Sequence, residues 1–124
     1  MAEKLSDIRS DPKRPVFRVR LEQFSWTAAE TAGVAKSMPV CGKARVIAGI
    51  ANNSTNAITY TTTISDEDSI QLYTKTDWAE AATEVVTLDS DTEVYIPPGA
   101  TVTITPSGAP GTTGGTFDLI LIGG

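Results

Sequence analysis

The chain contains no histidine and a single cysteine, Cys41, in 124 residues. Without histidine it lacks the commonest general base and the commonest metal ligand, and no Ser-His or Cys-His pair can form. One cysteine permits neither an intrachain disulfide nor a thiolate metal cluster. No apolar run approaches the roughly 18–20 residues of a membrane-spanning helix, so no membrane partner is expected. The leading MAEKLSDIRSDPKRP has no apolar stretch, and no secretory signal is expected there. These absences count against most hydrolytic and zinc chemistry. The chain is expected not to be an enzyme, to hold no cofactor or metal, and to take no small-molecule substrate.

What is present suits one globular domain, with 40% hydrophobic and 20% charged residues. The net charge of −5 hides an asymmetry. Residues 1–45 hold nine of the ten Lys and Arg against five acids, whereas residues 46–124 hold only Lys75 against ten acids. Such a split suits different surfaces for different partners, or like copies packed head to body. It also suits strands from both halves interleaving so that the charges mix. The basic part lacks the interleaved aromatics and the motifs of nucleic-acid binding, and no nucleic-acid partner is expected.

Residues 1–15 have no period of 2 or 3.6 and include Pro12 and Pro15, which predicts an extended arm that orders only against a partner. The domain is placed at 16–124. Phe17, Val19 and Leu21 alternate with Arg18, Arg20 and Glu22, the period of a strand with one buried and one solvated face. Residues 27–37 are small and polar around Gly33 and read as a loop. Residues 43–51 read as a strand with Val46, Ala48 and Ile50 on one face. Ile58, Tyr60, Thr62 and Ile64 alternate with Thr59, Thr61, Thr63 and Ser65, and threonine suits a half-exposed pleat. An acidic turn, Asp66-Glu67-Asp68-Ser69, leads into a returning strand over 70–75, a hairpin. Residues 78–82 have helical propensity for one turn only.

Strands follow over 84–88 and 92–96, the second ended by Pro97-Pro98, neither of which can donate to a ladder. Residues 101–105 alternate again. A Gly/Pro loop, SGAPGTTGG, leads to a last strand over 116–122, apolar enough to sit inside a sheet. Eight or so short strands with a turn signal at nearly every junction predict an all-β fold: an antiparallel β-sandwich, immunoglobulin-like or jelly-roll, with an extended N-terminal arm.

No constellation for catalysis emerges. Asp66 and Asp68 have calcium-loop spacing, but Gln71 and Asp77 stand where such a loop needs Gly and Glu, so a solvated turn is expected. Asp89 and Asp91 read the same way. Cys41 is expected to be a small buried thiol. Asn53-Ser54-Thr55 is a glycosylation sequon that matters only in a secreted chain. The glycine-rich loop lacks the lysine and following helix of a phosphate loop. Trp26 and Trp78 fall in or near loops, where they either stack on a sugar or plug the core.

The stretch ITYTTTISDEDS over 58–69 with Leu72-Tyr-Thr-Lys, the stretch TVTITPSGAPG over 101–111, and the closing Phe117-Asp-Leu-Ile-Leu resemble small β-rich virion proteins of tailed bacteriophages. The resemblance covers roughly residues 40–124 and is one of strand, acidic turn and Thr/Gly loop, with no signature motif. It implies a capsid decoration, or cement, protein. Such a protein is made in the host bacterial cytoplasm, sits on the outside of the virion head as a homotrimer, and bridges subunits of the major capsid protein. On that reading Lys4, Arg9, Lys13, Arg14, Phe17, Arg18 and Arg20 form the partner-binding set. The alternative is a carbohydrate- or receptor-binding sandwich of a tail fibre or tail tip, motivated by the two tryptophans and the Asp66–Asp68 turn.

Overall fold

A computed structural model describes residues 17–79, 81–88 and 92–124. Among these the chain forms nine strands and no helix. They are β1 (Phe17–Trp26), β2 (Val34–Ser37), β3 (Gly42–Ala51), β4 (Thr59–Ser65), β5 (Gln71–Ala79), β6 (Thr83–Thr87), β7 (Val94–Ile96), β8 (Thr101–Pro106) and β9 (Gly115–Gly123). The first sheet runs β1-β9-β3-β6 with β7 also paired to β3, and the second runs β2-β8-β4-β5. Every pairing is antiparallel.

The pairings nest. β4 pairs with β5, β3 with β6, β2 with β8 and β1 with β9. The chain is therefore one long hairpin whose tip is the Asp66–Ser69 turn, rolled so that alternate pairs fall into opposite sheets. That is a jelly roll, which decides between the two topologies left open by periodicity. β7 is a short addition that continues the line of β6 along β3.

The core lies between the sheets. From the first come Phe24, Ile47, Ile96, Phe117, Leu119 and Leu121, and from the second Tyr60, Ile64, Trp78, Val102 and Ile104, all 1% exposed or less. β1 behaves as its alternation requires, with Val19 and Leu21 inward and Arg18, Arg20 and Glu22 outward. Its register slips between Leu21 and Phe24, and Gln23 takes a φ of 61°. This bulge lets Leu21 and Phe24, three residues apart, both face the core. β9 lies between β1 and β3, as its apolar sequence requires.

Three local expectations are corrected, and a fourth is completed. The end of the 27–37 loop is the edge strand β2, pairing Val34 to Ile104 through Ser37 to Thr101. Its four residues are too small and polar to signal a strand. Helical propensity at residue 78 is overridden by pairing, since β5 continues through Trp78 opposite Tyr60 and Ala79 opposite Thr59. On β3 the core-facing residues are Ile47 and Ala51, leaving Val46, Ala48 and Ile50 on the other face. Cys41 is exposed, on the turn before β3, rather than buried.

Candidate functional site

The two sheets present outer faces of different chemistry. On the second, Thr61 lies opposite Thr105, Thr63 opposite Thr103 and Ser65 opposite Thr101. This is the half-exposed hydroxyl surface that the threonine alternation predicts.

The first sheet differs because its two central strands are apolar on both faces. Register places three rows across its outer side. One row is Arg18, Ile122, Val46 and Thr87, the next is Arg20, Ile120, Ala48 and Val85, and the third is Asp118, Ile50 and Thr83. Beyond them, Lys43 lies opposite Tyr95. Ile120 and Ala48 are buried, whereas Val85 and Tyr95 are 62% and 61% exposed. Antiparallel sheets with one solvated face show a clean apolar-polar alternation, and central strands lacking it are normally covered on both sides. The signal is in the sequence, in Val46-Ile-Ala-Gly-Ile-Ala51 and Leu119-Ile-Leu-Ile122, but reading only one face of each strand passes over it.

Charge borders this apolar centre. On the β1 side, Arg20 Nη2 lies 2.7 Å from Asp118 Oδ2 and Arg20 Nε lies 3.6 Å from Glu22 Oε1. Asp118 Oδ1 also accepts the Gln23 amide at 2.9 Å, so the bulge and the ion pair brace each other. Partial burial alone would raise the Asp118 pKa, but the Gln23 amide and the Arg20 guanidinium outweigh it and hold the carboxyl below its ordinary value. Near β7, Lys43 Nζ and Arg45 Nε share one carboxylate, Glu93, at 3.6 and 3.3 Å. No carboxylate among the described residues lies within ion-pair distance of Arg18.

Of the partner-binding set, Lys4, Arg9, Lys13 and Arg14 lie outside the described residues, as do the 1–15 arm and the Asp89/Asp91 pair. Phe17, Arg18 and Arg20 lie together at the start of β1, an edge strand. Arg18 and Arg20 point outward, whereas Phe17 is half-buried and packs on the core. Close glycines make room for it: a Cβ at Gly42 would fall 3.0 Å from the Phe17 ring, and one at Gly123 2.8 Å.

The tryptophans are not ligand platforms. Both lie on strands, Trp26 4% exposed and Trp78 1%. The Trp26 indole donates to the Ala32 carbonyl at 2.7 Å. Trp26, Tyr60, Phe117 and Trp78 form a chain of rings alternating between the sheets, with centroids 5.2, 5.3 and 5.9 Å apart. Lys75 lies over Trp78 at 4.7 Å and pairs with Glu84 at 3.8 Å. These rings hold the sheets together.

The acidic turn is occupied by its own backbone. Asp66 Oδ1 accepts the amides of Asp68 at 2.9 Å and Ile70 at 2.8 Å. Among the described residues no three acidic or cysteine side chains gather as a metal cluster would need. No described helix is long and apolar enough to cross a membrane.

No protein-family model and no curated protein sequence matches this chain. Solved structures do. A pilus protein of Bacillus endospore appendages matches at 11% identity over 89% of this chain and 88% of its own, with a TM-score of 0.45. A protein of infectious bursal virus-derived T=1 particles matches at 10% identity and a TM-score of 0.46 over 90% of this chain; the match spans only 32% of the viral chain. A low-affinity xylan-binding module from Roseburia intestinalis matches at 7% identity over 85% of this chain and 94% of its own, with a TM-score of 0.48.

Proposed function

We propose that this chain is a virion structural protein and not an enzyme: a decoration protein that binds the outside of a tailed-phage head, bridges its capsid subunits and assembles as a homotrimer. The observation that carries the reading is the arrangement at the start of β1. The 1–15 segment, with Lys4, Arg9, Lys13 and Arg14, leads into an edge strand whose Arg18 and Arg20 point outward from Phe17, which is anchored in the core. A basic leader joined to a firmly held edge strand suits adding a strand to an acidic capsid surface. The sequence resemblance to phage virion proteins supports the same reading.

A shell protein must hold against the outward pressure of packaged DNA. One small footprint binds weakly, and linking three footprints raises the effective affinity by about 10²–10⁴. An arm that orders on docking adds contact area at a cost of a few kcal/mol.

Co-sedimentation with mature, undecorated heads tests this reading. Full-length protein is expected to bind saturably, and a chain lacking residues 1–15 is expected to bind at least about tenfold more weakly. Undiminished binding of the truncated chain would remove the arm's role, and no binding of the full chain would remove the reading itself.

A further inference from the structure

Three large apolar side chains stand out as exposed among the described residues: Ile70, Val85 and Tyr95, at 59%, 62% and 61%. Val85 and Tyr95 lie on the outer face of the first sheet. Ile70 lies elsewhere, at the tip of the long hairpin, separated by Ser69 from the exposed acids Glu67 and Asp68. That tip is firmly shaped. Besides the two amides bound by the Asp66 carboxylate, the Asp66 amide donates to the Ile70 carbonyl at 3.0 Å and the Ser69 amide donates to the Asp66 carbonyl at 3.0 Å. Ile70 is thus an apolar knob rimmed by carboxylates. The Val85 side of the sheet is an apolar surface bordered by Lys43 and Arg45, two cations sharing one acid.

We propose that the Asp66–Ile70 turn of one copy docks on the outer face of the first sheet of a second copy. Ile70 packs beside Val85 and Val46, while Glu67 and Asp68 meet Lys43 and Arg45. The charges agree: the turn carries three acids, and among the described residues Lys43 and Arg45 share a single carboxylate, Glu93. The preformed turn has little conformational freedom left to lose on docking. It also covers Val46, Ile50 and Ile122, which are only half-buried on the outer side of β3 and β9.

Turn and face are different patches, so the contact is heterologous, and repeating it closes a ring when the rotation permits. Each contact is small. Strands β9, β3 and β6, about 4.8 Å apart and about five residues long at about 3.3 Å each, span roughly 240 Å², against the ~800 Å² per partner of a stable complex. A pair held by one contact is weak, and a closed ring gives every copy two contacts. The edge of β1 stays free on the other side of the sheet. The inference rests on the self-association in the proposed function and needs no capsid.

Sedimentation velocity of the full-length chain over a range of concentrations tests it. The unmodified chain is expected to form a small closed oligomer. Val85→Glu on the face and Ile70→Asp on the turn are each expected to leave a folded monomer with an unchanged far-ultraviolet circular dichroism spectrum, since both side chains are exposed. Tyr95→Glu reports on the same face should Val85→Glu fail to fold. Thr63→Glu, on the outer face of the second sheet, is expected to leave the oligomer intact. A chain monomeric at all concentrations would overturn the inference. So would an oligomer that survives both substitutions, or one lost to only one of them, which would mean a patch meeting its own copy. Loss of capsid binding with the oligomer intact would count against decoration and leave this contact standing.

Discussion

The carboxylate of Asp118 on β9 and the guanidinium of Arg20 on β1 lie 2.7 Å apart, although 98 residues separate them in the chain. Rolling the hairpin brings the basic leading strand beside the apolar closing strand, whose one charged residue is Asp118. Arg20 from the head pairs with Asp118 from the body, and Lys43 and Arg45 pair with Glu93. Within the described residues the charges of the two halves mix, and the asymmetry of the sequence persists locally, around Arg18.

Because Asp118 is held below its ordinary value of 3.8, its contribution to stability is complete above that value and is lost as pH falls through the lower folded-state value. The Asp118 side chain is 21% exposed and its partner Arg20 39%, so solvent screening reduces the effect, and Asp118→Asn is expected to cost about 0.5 kcal/mol at neutral pH. Urea midpoints of the two proteins should differ at pH 7 and draw together as the pH falls through the lowered folded-state value of Asp118. A gap of constant size across that range would exclude the ion pair as its cause.

Gly49 is required by the ring chain. A Cβ there would fall 2.5 Å from Phe117 Cζ and 2.8 Å from Trp78 Cε3. Gly49→Ala is expected to cost about 1–3 kcal/mol through overpacking. Near-ultraviolet circular dichroism should report displaced rings, and an unchanged spectrum with unchanged stability would contradict this packing.

Thr62 is fully buried, and its hydroxyl has no hydrogen-bond partner among the described residues. Thr62→Val replaces a buried hydroxyl by a methyl of nearly the same shape. The substitution is expected to stabilise by about 1–2 kcal/mol, measured as a raised denaturation midpoint with an unchanged slope. Destabilisation would mean that the hydroxyl is satisfied in solution.

Cys41 is exposed and both tryptophans are buried. The native protein should therefore give one equivalent of thiol to a disulfide reagent without denaturant. Tryptophan fluorescence should resist acrylamide until the chain unfolds. A silent thiol or readily quenched fluorescence would reverse these assignments.

Much of the fold is legible in the sequence because alternation is strong where one face of a strand is wet. β1, β4 and β8 fall where Val19, Thr61 and Thr103 say they should. The paired topology is not legible, because it depends on which strands meet across the roll. β2 is missed because Val34-Ala-Lys-Ser37 carries almost no apolar surface. Trp78 is misplaced because local propensity competes with pairing to Tyr60, and pairing wins. The apolar outer face of the first sheet escapes because each strand is credited with one buried face, whereas Val46 and Ile47 both lie on apolar surfaces. Cys41 escapes because a lone small thiol gives no local sign of exposure.

Release of DNA from filled, undecorated phage heads during heating, followed as the chain is titrated in, tests most directly whether it strengthens a shell. Release is expected to move to higher temperature and to saturate once the outer sites are full. Heads that bind the chain and still release DNA at the original temperature would contradict a cementing role.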